Sequence, residues 1–189
     1  MSLEYGILGF LSKKDLSGYD IKKAFDIAVG FIWAANQGQI YRTLGTMLKN
    51  GWVIISETSP GIVHDKKIYS ITDEGKKAFR KWLVDGLSES PMRNEALLKL
   101  FHFAQANPEK ALENLNKLIK QKKMMTSILD EMTILKAGEY RELLDIDENS
   151  PEFKLNLFIS KWGYIREKAF LEFLEMYKTE FEKIIKQQG

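Results

Sequence analysis

Between residues 36 and 72 the hydrophobic pattern changes its period twice, and this double change limits the folds open to the chain. Ile40, Leu44, Met47 and Leu48 recur at helical spacing. Asn50-Gly51 halts that helix, because glycine takes the left-handed conformation that a helix end favours. Trp52-Val53-Ile54-Ile55-Ser56-Glu57-Thr58 then reads as a strand, rich in β-branched residues, and Ser59-Pro60-Gly61 breaks it. Lys66-Lys67-Ile68-Tyr69-Ser70-Ile71 returns as a second strand after a loop of roughly seven residues, longer than a tight hairpin turn needs. Thr72 is the expected cap of a further helix, with Asp73 and Glu74 in the first turn, where negative charge suits the helix dipole.

Upstream, Leu3, Ile7, Leu8 and Leu11 follow helical spacing, and this helix is expected to end near Lys13-Lys14. Ser17-Gly18-Tyr19-Asp20 has the capping-box pattern and predicts a second helix from Tyr19 to about Ile27. Asn36 or a neighbour caps the third. Three helices followed by a two-stranded hairpin is the order of a winged helix-turn-helix.

The second half reads as helix throughout. The stretch from Gly86 to Pro91 is small and polar, so a domain boundary is expected there, with a winged-helix domain over 1–88 and a helical domain over 89–189. Asn107-Pro108-Glu109 and Ser150-Pro151-Glu152 each place a capping side chain before a proline at the first helical position. They open two long helices, expected over about 108–137 and 152–186. The expected fold is therefore mainly α with a small β-hairpin wing, a winged helix-turn-helix followed by an all-helical C-terminal dimerisation domain.

Composition excludes more than it selects. With 189 residues, 44% hydrophobic and 29% charged, the chain reads as an ordinary globular protein. It has no cysteine, which removes disulfides and thiolate metal sites. His64 and His102 are the only histidines, and neither has a neighbour at metal-ligand spacing. Asp145-Ile146-Asp147-Glu148 lacks the alternation and the glycine turn of a calcium loop. No phosphate loop, dinucleotide fingerprint or nucleophile elbow occurs, so no catalytic residue, metal or cofactor is expected and the chain does not read as an enzyme. The first residues carry Glu4 and no basic run, unlike a signal peptide, and no apolar run spans a membrane. A cytoplasmic protein is expected.

Net charge is +2, and its distribution is uneven. Residues 1–90 hold 12 basic and 10 acidic side chains, residues 91–189 hold 16 of each, and the stretch 36–81 alone holds 8 basic against 4 acidic. Phosphate binding would therefore come from a local patch. The third helix supplies a face for it. At 100° per residue Arg42 and Thr46 lie about 200° from Leu44, opposite the apolar face, and Gln39 and Lys49 extend the same stripe. Asn36 and Gln37 stand at its N-terminal end. Arginine can pair with guanine, glutamine or asparagine with adenine, and threonine can touch a thymine methyl, while Lys49 would meet a phosphate. His64, Lys66 and Lys67 put basic groups near the hairpin tip, where a wing lies along the backbone or the minor groove.

Taken together, Ile7-Leu8-Gly9-Phe10-Leu11, Ser17-Gly18-Tyr19-Asp20-Ile21, Gly38-Gln39-Ile40-Tyr41-Arg42-Thr43-Leu44, Asn50-Gly51-Trp52-Val53 and Tyr69-Ser70-Ile71-Thr72-Asp73-Glu74-Gly75 resemble the PadR-type (phenolic acid decarboxylase repressor-like) regulators in order and spacing. The resemblance is strong over about 3–85, and the remainder looks like the longer members with a helical C-terminal domain. It implies a homodimer on a palindromic operator, often repressing a nearby gene, with Tyr41 near the DNA backbone. Arg42 departs from the pattern, where many relatives carry proline or a small residue.

The last helix carries an apolar stripe too wide for a three-helix domain to bury alone. Phe158, Trp162, Ile165, Phe173 and Tyr177, aided by Leu3 and Ile7 of the first helix, are the expected dimer contacts. A small-molecule effector would find room between these helices and the winged domain, with Trp33, Trp82, Trp162 and Met124-Met125 as candidate lining. Two other functions fit the pattern: a winged-helix module that binds protein, and a ligand-binding helical protein without specific DNA binding.

Overall fold

The computed structural model describes residues 2–59, 66–87 and 93–188. Its elements are α1 (Ser2–Leu11), β1 (Leu16–Ser17), α2 (Gly18–Ala24), a π-helical turn (Phe25–Val29), α3 (Gln37–Lys49), β2 (Val53–Ser59), β3 (Lys66–Ile71), α4 (Asp73–Val84), α5 (Glu95–Phe101), a 3-10 turn (Phe103–Gln105), α6 (Pro108–Leu144) and α7 (Pro151–Gln188).

The expected caps are in place. Asn36 caps α3, Thr72 caps α4, and Gly51 follows α3 with φ 70°. Asn107 Oδ1 accepts from the Lys110 amide at 3.0 Å, and Ser150 Oγ accepts from the Phe153 amide at 3.1 Å. At α2 the box is only half formed. Ser17 Oγ accepts from the Asp20 amide at 3.2 Å, but its proton goes to the Asp20 carboxylate at 2.6 Å, which therefore binds the hydroxyl and not the backbone.

Three elements depart from the sequence reading. The sheet has three strands in the order β1-β3-β2, not two, because Leu16 and Ser17 pair antiparallel with Tyr69 and Ile68. Two residues are too short a run to show alternation. The second helix ends in a π turn at Phe25–Val29, a rare widening that often accompanies functional sites. Finally, α6 runs to Leu144, well beyond the expected end, and turns at Asp145 (φ 55°), where the Ile146 amide bonds back to the Arg141 carbonyl.

The chain forms two compact units that interleave along the sequence: Met1–Leu87 with Ile134–Ser160, and Ser88–Thr133 with Lys161–Gly189. In the first, Ile7, Leu8 and Leu11 of α1 meet Ile21, Ala24 and Phe25, then Ile40, Leu44 and Met47 of α3 and Val53 and Tyr69 of the sheet. Tyr140 and Leu144, from the end of α6, belong to the same core. Tyr140 sets its ring edge-on to Phe10, with centroids 6.1 Å apart, and Lys13 pairs with Glu152. Burial pushes the Tyr140 hydroxyl up to about 12, with the Glu152 charge adding, so it stays neutral in any physiological medium.

The second unit has its own core of Leu100, Leu115, Ile119 and Leu174. Tyr177 packs against it and donates its hydroxyl to the Leu100 carbonyl at 2.7 Å. Lys122 pairs with Glu167 and sits 5.4 Å from the centre of the Phe170 ring. Burial alone would raise the Glu167 carboxyl, but Lys122 and then Arg166 outweigh it and hold the group below the usual range. Among the described residues no helix is long and apolar enough to cross a membrane.

Candidate nucleic-acid interface

The α3 helix divides as its periodicity requires. Ile40, Leu44 and Met47 are fully buried, whereas Asn36, Gln37, Gln39, Tyr41, Arg42, Thr46 and Lys49 are exposed. Arg42 and Lys49 have no carboxylate partner among the described residues, so both charges are available to a ligand.

Local hydrogen bonds restrict what three of the predicted base readers can offer. Asn36 Oδ1 accepts from the Gln39 amide and Gln39 Oε1 accepts from the Asn36 amide, both at 2.9 Å, closing a full capping box. With its oxygen held, Gln39 presents only an NH₂ group, and the two-bond pairing with adenine requires the box to open. Thr46 donates its hydroxyl proton to the Arg42 carbonyl at 3.3 Å, which leaves an acceptor lone pair and a methyl group for a partner.

On one flank of α3 lies a shallow groove of about 360 Å³ that sequence spacing does not reveal. It is lined by Ser17, Gly18, Tyr19 and Asp20 at the start of α2, Tyr41 of α3, and Lys66, Lys67 and Tyr69 of β3. The predicted Tyr41, Lys66 and Lys67 thus come together, joined by Tyr19, whose side chain is 64% exposed. The signal for Tyr19 was present in Ser17-Gly18-Tyr19-Asp20, but local reading assigns that motif to capping alone. Burial, and next the neighbouring Tyr41, push the Tyr69 hydroxyl up. Two exposed phenols beside two ammonium groups can hold a phosphate oxygen by charge-assisted hydrogen bonds. Asp20, turned toward Ser17, is the one carboxylate in the lining. His64, the third predicted wing residue, lies outside the described residues.

A second depression, of about 550 Å³, borders the other flank of α3 and is lined by Leu3, Glu4, Trp33, Gln39, Arg42, Thr43 and Thr46. No group of acidic or histidine side chains among the described residues could hold a metal ion.

The family model for "Transcriptional regulator PadR-like family" matches residues 7–81, the span that builds α1 to α4. Over the long form, the chain is 29% identical across 187 residues to the negative transcriptional regulator PadR of Bacillus subtilis, covering 96% of this chain and 98% of that one. The crystal structure of B. subtilis PadR in complex with operator DNA superposes with a TM-score of 0.77 at 28% identity, over 96% of this chain and 99% of that one. Residues 7–81 thus match the PadR-like family, and nearly the whole chain is similar to one of its transcriptional regulators. The structure of B. subtilis PadR in complex with p-coumaric acid matches as well, with a TM-score of 0.73, 27% identity and coverage of 96% and 99%.

The residues expected at a dimer contact fall into two groups. Phe158, Trp162, Ile165 and Phe173 are 71%, 52%, 54% and 43% exposed along α7, although Phe173 also stacks on Phe170. Ile7, by contrast, is fully buried in the core of the first unit, the head, Leu3 packs against that core, and Tyr177 is tied to Leu100. Ile7 has no surface to give a second chain, since the helical period that made it apolar turned it inward.

The residues named for an effector are also redistributed. Trp33 borders α3, and Trp82 stacks on Tyr5 with centroids 5.0 Å apart. A cavity of about 50 Å³ lies instead between the π turn, at Ile27, Ala28 and Val29, and the residues of α6 and α7 that include Tyr140 and Asn156. None of Trp33, Trp82, Trp162, Met124 and Met125 lines it.

Proposed function

We propose that this protein is a transcriptional repressor that binds a palindromic operator as a homodimer, with α3 in the major groove and the groove of Tyr19, Tyr41, Lys66 and Lys67 on the flanking phosphates. The convergence of those four side chains beside the exposed face of α3 carries the reading. Phosphate contacts of this kind fix register, while Arg42, unpaired among the described residues and opposite the buried face, reads base edges. The operator and p-coumarate complexes of B. subtilis PadR support a DNA partner and a small-molecule effector. The protein acts in the cytoplasm and catalyses no reaction. An effector would be recognised by ligand-dependent loss of operator affinity.

Selection from random duplex DNA, followed by titration, tests this directly. An inverted repeat is expected, and Arg42→Ala is expected to lower the ratio of operator to scrambled affinity by roughly tenfold, the value of one good base pairing. No recovered motif, with binding lost at moderate salt, would favour the protein-interaction module instead.

Dimerisation is assigned to the α7 stripe. Four large apolar side chains, each at least 43% exposed, are more than a monomer leaves in contact with water without cause. The double substitution Phe158→Glu with Trp162→Glu is expected to give a monomer by sedimentation while helical circular dichroism persists. Two recognition helices about 34 Å apart could then no longer act together, and operator affinity should fall to the non-specific level. A variant that still sediments as a dimer would remove α7 from the interface.

A further inference from the structure

We propose that Gly18 is a positioning residue for Tyr41: the lack of a side chain at the first position of α2 lets the phenol ring lie on that helix and holds its hydroxyl at the groove of Lys66 and Lys67. The proposal rests on the DNA-binding reading above and assigns a part of that site to a residue with no group of its own to bind with.

Space is the reason for the glycine. A Cβ built on Gly18 would stand 2.5 Å from Cε1 of Tyr41, 2.8 Å from Cζ and 3.0 Å from the hydroxyl oxygen. Carbon atoms in good contact are about 3.5–4.0 Å apart, so even one methyl group displaces the ring by roughly 1 Å. Backbone conformation gives no alternative explanation. The described glycines with positive φ are Gly51 and Gly86, and Gly18 is not among them. Nor does helix formation favour it, since glycine at a helix start lacks the preorganisation that proline supplies. The position is itself buried, beneath Tyr41.

The displaced group is the far end of a side chain, not backbone, and Tyr41 is 45% exposed, so the ring has solvent to swing into. A larger residue at 18 therefore leaves the fold intact and moves the hydroxyl away from its place beside the two lysines. Gly138, on α6 and away from the groove, provides a control, because a Cβ there meets nothing within 4 Å.

The test is a double-substitution cycle on the full chain, using the operator recovered by selection. Gly18→Ala is expected to weaken operator binding about tenfold, the size of one lost charge-assisted hydrogen bond, with its thermal midpoint close to that of the parent. Tyr41→Ala should weaken it at least as much, and Gly18→Ala added to Tyr41→Ala should cost nothing further. Gly138→Ala should leave affinity unchanged. The nuclear Overhauser contact expected in the parent between the Gly18 α-protons and the Tyr41 ring should be altered in Gly18→Ala, with the ring signals shifted. Equal weakening by Gly18→Ala with and without Tyr41 would overturn the proposal, as would unchanged affinity in Gly18→Ala beside a weakened Tyr41→Ala. A parent protein that selects no duplex would defeat the DNA reading alone, and an unmoved ring in Gly18→Ala would defeat the positioning role alone.

Discussion

Lys66→Ala combined with Lys67→Ala is expected to weaken duplex binding by about a hundredfold at low salt, and to do so equally on operator and scrambled DNA. Both side chains line the phosphate groove and neither has a carboxylate partner among the described residues, so their charge is available to DNA. Each phosphate neutralised releases counterions, and the slope of log K against log salt falls by roughly 0.9 for each contact removed. A dimer loses two lysines per protomer, so the slope should flatten by about 3 to 4. Titration at several salt concentrations reads both effects. A slope equal to that of the parent would place the wing away from phosphate, whatever happened to affinity. The opposite signature is expected of Arg42→Ala, a changed sequence ratio with little change in slope.

Gly75→Ala is expected to be the most damaging small substitution in the head. A Cβ at Gly75 would sit 2.2 Å from the Trp52 carbonyl oxygen and 3.0 Å from Cγ1 of Ile71. That carbonyl cannot turn away, because it accepts from the Thr72 amide at 3.0 Å. Thr72 in turn donates its hydroxyl to the Gly51 carbonyl at 2.7 Å and accepts from the Gly75 amide at 3.0 Å. The start of α4 is thus bonded closely to the turn that ends α3, and one methyl group has to push them apart. Overpacking of this kind costs about 3 kcal/mol, or a fall of roughly 6–12 °C in the thermal midpoint for a chain of this size. Thermal unfolding checks it, and a midpoint within about a degree of the parent would show that the turn yields more easily than its hydrogen bonds imply. The contrast with Gly18→Ala is informative: the same added methyl group meets a mobile ring in one place and a fixed carbonyl in the other.

What local sequence displays, the structure repeats. Asn36, Asn50-Gly51 and Thr72 mark helix ends through bonds to residues three or four positions away, and the faces of α3 follow from its own period. Features made by distant pairing are a different matter. Leu16-Ser17 becomes a strand only because β3 lies beside it, 51 residues on from Ser17 to its partner Ile68, and two residues have no pattern of their own. Tyr19 joins Lys66 and Lys67 in one groove through the same pairing. The capping role of Gln39 was legible in its spacing from Asn36, but its residue type fits a base reader equally well, and only the geometry shows which duty holds its oxygen. The inward turn of Ile7 and the presence of Tyr140 in the head core were hidden for a simpler reason: apolar character says that a side chain seeks burial, not which neighbour provides it.

The membership of Tyr140 and Leu144 in that core also has a consequence for how the protein is made. A ribosome delivers roughly 5–20 residues each second, so several seconds separate the appearance of Leu87 from that of Ser160. During that interval the nascent head lacks two of its core side chains and the Glu152 partner of Lys13. Phe10 has its edge-on contact with Phe25 but not yet the one with Tyr140. Completion of the DNA-reading unit is thereby tied to synthesis of α6, and a transcript broken before codon 134 would encode a head without Tyr140 and Leu144 in its core.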